Sequence, residues 1–148
     1  MNINTHDTTD VLTHEINSYL DDLLNTVDGI RSIWLLGSRA NGTATLESDW
    51  DFFVFGENIV FEQIQVSQKF HAGHIDLLIV SADGSFRKPY GHMKSGDLNS
   101  WGWRIVTPKL ATYEGSKCEA FDPDGDGYIG ESSPFKVETL KAVRVRGI

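Results

Sequence analysis

The sequence predicts an α+β fold: a mixed β-sheet flanked by helices, with a β-rich C-terminal extension. Three observations predict it. Apolar residues recur at three- and four-residue spacing near the start of the chain, short apolar runs bounded by Gly, Asp and Ser follow, and beyond about residue 81 the texture turns glycine- and aromatic-rich. With 148 residues, 40% of them hydrophobic, the chain has the size of one domain and can bury a core without staples. The core is expected over residues 9–82 and the extension over 83–148.

Val11, Leu12, Ile16, Leu20, Leu23, Leu24 and Val27 form one apolar stripe, which predicts an amphipathic helix over residues 9–25 that Asp28-Gly29 ends. Ser32 to Leu36 is a short continuous apolar run of the kind a central strand shows. Gly37-Ser38 follows, then small and polar residues to Ser48 with room for a short helix starting at Ser38. Asp49 to Phe55, rich in aromatic and β-branched residues and closed by Gly56, predicts a second strand. Residues 58–70 fit either a helix or a strand and turn, and the helix is preferred. His74 to Val80 predicts a third strand. Residues 101–106, 111–113 and 137–145 predict strands of an appended sheet. No internal repeat or Pro/Ser-rich linker divides the chain.

Thirteen Lys and Arg against 21 Asp and Glu give a net charge of −8, which argues against non-specific DNA binding through a basic face. Up to Val80 there are 3 basic and 12 acidic side chains, and after it 10 and 9. A divalent cation would be drawn to the first half and an anionic substrate to the second, although ordinary solvated surface charge gives the same asymmetry. Cys118 is the only cysteine, which excludes an internal disulfide and a Cys-based zinc site and fits a reducing compartment. MNINTHDTTD lacks a basic and apolar leader, and no apolar run approaches the roughly 18 residues of a membrane span, so a cytoplasmic protein with no membrane partner is expected.

Asp49 and Asp51 are one residue apart, so on a strand both carboxylates point to one face. Like charges at that range oppose joint ionisation unless a cation lies between them or one takes a proton. Mg²⁺ suits such a pair, because it is held by a few carboxylates plus substrate phosphates; Mn²⁺ is an alternative. Asp76 lies in the apolar third strand, where a carboxylate needs a partner. Beside the second strand it would complete a cluster able to bind two ions for in-line phosphoryl displacement. The same residues also fit an exposed Asp-x-Asp and an Asp76 paired with Lys or Arg. Gly37-Ser38, between a strand and a helix start, offers main-chain N–H groups and a hydroxyl to a triphosphate. Gly37-x-x-x-x-Gly42-Thr43 lacks the Lys of a P-loop, and no dinucleotide-binding Gly-x-Gly-x-x-Gly is present.

Taken together, Leu36-Gly37-Ser38-Arg39-Ala40-x-Gly42, ten residues from Ser38 to Asp49-x-Asp51, and a lone Asp76 in an apolar strand resemble the DNA polymerase β-like nucleotidyltransferase superfamily. The likeness is greatest to its minimal nucleotidyltransferase domains and covers roughly residues 30–80. It implies that Gly37 and Ser38 bind the nucleoside triphosphate and that Asp49 and Asp51 bind metal. It also implies that Asp76 joins the catalytic metal and helps activate the acceptor hydroxyl. Residues 81 onward resemble, loosely, stand-alone nucleotidyltransferase-like proteins of tailed phages. Arg39 is a candidate phosphate clamp, or else pairs structurally with Glu47 or Asp49.

Asp122-x-Asp124-x-Asp126-Gly127 begins like an EF-hand loop, yet Ser133 stands where a bidentate Glu is needed, so a polar hairpin loop is preferred to a calcium site. His71 and His74 are separated by a turn-forming Gly73, which disfavours a metal site. Trp101 and Trp103 read as core residues before base-stacking ones. Arg87, Lys88, Lys94, Arg104 and Lys109 are candidates to meet an acceptor or the triphosphate tail, against a default of exposed surface cations. The expected activity is Mg²⁺-dependent transfer of a nucleoside monophosphate, AMP from ATP first, to an acceptor hydroxyl with release of pyrophosphate. The acceptor is open among a protein, a small molecule and an RNA end. A non-catalytic nucleotide- or calcium-binding regulatory module is the alternative, and a partnered enzyme that adenylylates a toxin protein is a third.

Overall fold

The computed structural model describes residues 12–90, 95–118 and 135–147. Helix α1 spans His14–Thr26 and begins where Thr13 Oγ1 accepts a hydrogen bond from the Ile16 N–H at 3.1 Å. It buries Ile16, Leu20 and Leu23, the stripe the spacing predicts, and starts later than residue 9. Strand β1 (Ile30–Leu36) leads through Gly37 into a single turn of helix, α2 (Ser38–Asn41). Strand β2 (Trp50–Gly56), helix α3 (Ile59–Ser67) and β3 (Ile75–Val80) follow, so the ambiguous 58–70 stretch is helical over nine residues. The remaining strands are β4 (Ser85–Arg87), β5 (Ser95–Asp97), β6 (Arg104–Thr107), β7 (Leu110–Cys118) and β8 (Phe135–Gly147). β4 and β5 have three residues each, too few for alternation to show in the sequence. Trp101 and Trp103 lie ahead of β6 rather than in it.

All eight strands form one sheet in the order β5-β4-β3-β2-β1-β8-β7-β6. β2 and β3 run parallel, which requires a crossover that α3 supplies, and the other neighbours are antiparallel. The expectation of an appended second sheet is therefore corrected: β8 pairs directly with β1. The reason lies in β1 itself. Ile33, Trp34, Leu35 and Leu36 are all buried, so β1 presents apolar side chains to both faces and is unsuited to an edge. Arg146 of β8 fixes the junction, its Nε 3.0 Å from Asp21 Oδ1 and a terminal nitrogen 2.8 Å from Asn17 Oδ1, both acceptors on α1.

The pleat of β1, β2 and β3 divides the core between two faces. Ile33, Leu35, Phe52, Val54, Leu77 and Ile79 face α1 and α3, together with Trp50 and Ile75. Trp34, Leu36, Phe53, Leu78 and Val80 face the other way, where Leu98, Trp101 and Trp103 cover them with Phe86 and Tyr113. Phe53 touches Phe86, Trp101 and Trp103 at ring separations of 5.3, 5.5 and 5.4 Å. The two tryptophans are thus half-buried and packed against the core. No helix among the described residues is long and apolar enough to cross a membrane.

Candidate active site

Along β2 the side chains alternate, so Asp51 shares its face with Phe53 and not with Trp50. The register aligns Leu36 with Asp51 across the β1–β2 pair and Asp51 with Asp76 across the β2–β3 pair. The two carboxylates therefore sit side by side on the aromatic, helix-free face, beside the last residue of β1 and near the starts of β2 and β3. Asp49 lies just before β2, exposed, at the end of a loop folded by local hydrogen bonds. In that loop Thr45 N–H donates to Ser48 Oγ at 2.9 Å and Glu47 N–H to Thr45 Oγ1 at 3.2 Å. Among the described residues no three His, Cys, Asp or Glu side chains form a ready-made metal cage. Asp51 and Asp76 are the close pair, with Asp49 near enough for its charge to act on Asp51.

Burial, then the charges of Asp76 and Asp49, push the Asp51 carboxyl up to about 6, and Lys88 pulls it back. Lys88 Nζ stands 3.4 Å from Asp76 Oδ1, the one cation close to the pair among the described residues. The donor set thus fits a divalent cation. It is rich in hard oxygen, carries like-charge repulsion that Lys88 offsets only in part, and leaves coordination positions to waters and phosphates, as Mg²⁺ requires. A cavity of about 130 Å³ opens beside Asp76 and Lys88, floored by Ile75 and Leu77 and edged by His71 and Tyr90.

Gly37 is the other half of the site. It adopts φ +74° and ψ −158°, a region closed to side-chain-bearing residues, and a Cβ there would lie 2.5 Å from Asp51 Oδ2. The turn that precedes Ser38 and the carboxylate pair are therefore in contact. The Gly37 N–H donates to Tyr113 Oη at 3.0 Å, and its carbonyl accepts from Asn41 Nδ2 at 2.8 Å. Burial, with the charge of Asp51, pushes the Tyr113 phenol up, so it stays protonated at neutral pH. Neither Tyr113 nor Asn41 carries a local motif, and only the folded sheet brings them to Gly37.

Arg39 is tied to the loop that precedes β2. Its guanidinium lies 4.3 Å over the Trp50 ring, on the helix-covered side of β2, and donates to the carbonyls of Ser48 at 3.0 Å and Leu46 at 3.4 Å. It braces the loop that delivers Asp49. His74 pairs with Glu15 at 3.5 Å while His71 stacks on Tyr90, so the two histidines have separate partners. Arg87 lies 3.7 Å over the Phe61 ring, and Arg104 and Lys109 are exposed. The Asp122–Asp126 loop and Lys94 lie outside the described residues.

A family model for polymerase beta-type nucleotidyltransferases matches residues 18–88, the stretch from α1 to Lys88 that carries Gly37, Ser38 and all three aspartates. No curated protein matches the chain. A crystal structure of a candidate nucleotidyltransferase from Sulfolobus solfataricus is 18% identical over 53% of this chain and 73% of that one, with a TM-score of 0.42. The match places residues 18–88 with the polymerase beta-like nucleotidyltransferases.

Proposed function

We propose that the protein transfers a nucleoside monophosphate, AMP from ATP in the first instance, to an acceptor hydroxyl and releases pyrophosphate. The observation that carries this reading is the contact between the Gly37 turn and Asp51, with Asp76 beside it. A triphosphate seated at Ser38 would meet the carboxylate pair whose repulsion calls for a cation. Asp49, Asp51 and Asp76 would hold Mg²⁺ or Mn²⁺, which supplies charge neutralisation to the triphosphate when bound.

The chain's own part is positioning. The Gly37 turn, fixed from both sides, sets the direction of the Ser38 N–H and hydroxyl toward a phosphate. Asp76, open to the adjoining cavity, accepts the acceptor's proton as the acceptor oxygen bonds to the α-phosphorus and the bond to the bridging oxygen of pyrophosphate breaks. Lys88 offsets the negative charge at Asp76 and is placed to meet an anionic group entering the cavity.

Purified protein incubated with α-labelled ATP and Mg²⁺ in a host lysate should label a protein, RNA or small molecule. The Asp49→Ala/Asp51→Ala double variant should label none. Nucleotide binding without transfer would favour the non-catalytic module instead. Equal labelling by wild type and variant would exclude these carboxylates from the reaction.

A further inference from the structure

The C-terminal strands reach into the site. Gly37 holds a backbone conformation that a chain does not keep unaided, and both of its polar groups are tied to partners. Its N–H is held by Tyr113, which arrives from β7, 76 residues along the chain. Its carbonyl accepts from the Ala40 and Asn41 backbone N–H groups at 3.1 Å and from the Asn41 side-chain amide at 2.8 Å, and that amide also donates to the Lys141 carbonyl at 3.0 Å and accepts from the Lys141 N–H at 2.9 Å on β8. Neither partner is free to drift. Tyr113 is 4% exposed and stacks on Trp101 at 5.6 Å, and the two bonds between Asn41 and Lys141 dock α2 on β8 as a strand would dock.

We propose that Tyr113 and Asn41 are positioning residues for the nucleotide, clamping the Gly37 peptide so that Ser38 faces the triphosphate, and that β7 and β8 are built into the nucleotide site. The inference rests on the nucleotidyl-transfer reading and deepens it. The peptide plane between Gly37 and Ser38 sets where the Ser38 N–H points. Gly37 has no room to rotate toward Asp51, whose Oδ2 fills the space a Cβ would need. Release of the Tyr113 bond lets the turn relax only away from the carboxylates, which moves the phosphate position and leaves the carboxylate pair in place.

The test separates nucleotide from metal. Affinity for Mg²⁺ with α,β-methylene-ATP is measured by calorimetry on wild type, Tyr113→Phe, Asn41→Ala and the control Tyr19→Phe, and Mn²⁺ alone is titrated by electron paramagnetic resonance. Tyr19 also loses one phenolic bond, its donation to the Phe70 carbonyl at 2.6 Å, but on the helix-covered side. Tyr113→Phe, which removes one hydrogen bond, should weaken nucleotide binding about fivefold to tenfold, and Asn41→Ala, which removes three, should weaken it at least as much. Mn²⁺ affinity should stay unchanged in both, and Tyr19→Phe should bind nucleotide like wild type. Wild-type nucleotide affinity in Tyr113→Phe and Asn41→Ala overturns the clamp. An equal loss in Tyr19→Phe also overturns it, because general destabilisation would then explain the effect. Failure of the wild type itself to bind nucleotide overturns the underlying nucleotidyl-transfer reading instead.

Discussion

Asp51→Asn should stabilise the metal-free protein while abolishing its response to metal. The Asp51 carboxyl is raised from 3.8 to about 6, so the folded state binds this proton more tightly than the unfolded chain does. Below about pH 4 the group is protonated in both states and carries no penalty. Between about pH 4 and 6 the unfolded chain ionises first, and above about 6 the folded state bears the whole cost. A shift of roughly two units corresponds to about 3 kcal/mol, and because Asp51 is only half-buried, solvent screening brings this nearer 1–2 kcal/mol. Asparagine keeps the size and the bond to Asp76 but removes the charge. At pH 7.5 without metal the variant should melt about 3–8 °C higher, and at pH 4 the gain should vanish. Addition of Mn²⁺ should raise the melting temperature of wild type and leave the variant unmoved. Thermal denaturation at the two pH values, with and without Mn²⁺, measures all four quantities. A variant less stable than wild type at pH 7.5, or a gain that persists at pH 4, would refute the assignment of repulsion to this carboxylate.

Other consequences are as direct. Gly37→Ala should lose about 1–3 kcal/mol in chemical denaturation from backbone strain alone, and should lose nucleotide binding because the methyl group displaces Asp51. Lys88→Gln should shift the pH dependence of Mn²⁺ binding. Affinity in wild type should fall as the pH drops through about 6, and without the Lys88 charge that fall should begin at higher pH. Phe53→Ala, at a fully buried position among Phe86, Trp101 and Trp103, should cost about 3–5 kcal/mol in urea unfolding and alter tryptophan fluorescence.

The parts of the site readable from sequence are those encoded locally. Asp51 shows its direction through the two-residue period of a strand, and Gly37-Ser38 shows a turn because few residues other than glycine fit there. Asp76 was legible as an anomaly, a carboxylate in an apolar run, and the parallel β2–β3 pairing supplies its partner. What stayed hidden depends on pairings between distant segments. Nothing in residues 137–145 says that they lie beside β1 rather than in a sheet of their own, since the apolar pattern of a strand is the same in either place. The seat of Arg39 over the Trp50 ring, on the face away from Asp51, also depends on the fold and not on a local motif. The bond from Gly37 to Tyr113 leaves no periodicity or motif behind. Asp49, expected within a strand, lies just outside one, because the Thr45–Ser48 turns and Arg39 shape that segment before β2 begins.

The division of the sheet into two unlike faces explains why the extension exists in this form. A sheet with helices on both faces would bury its apolar side chains and leave no open surface for a triphosphate and an acceptor. Here α1 and α3 pack on one face, and the other carries both the aromatic cluster and the Asp51–Asp76 pair. Leu98, Trp101 and Trp103 close the part around Phe53, and Tyr113 stands at the boundary, its ring in the aromatic cluster and its hydroxyl on Gly37. The aromatic core and the Gly37 turn therefore share a residue. Packing around Trp101 fixes Tyr113, Tyr113 fixes Gly37, and Gly37 meets Asp51, so rigidity generated by burying aromatic rings is delivered to a half-exposed, electrostatically strained pair of carboxylates. A domain whose extension were merely appended would lose stability on perturbation of Trp101 and keep its site. In this one the two should fail together.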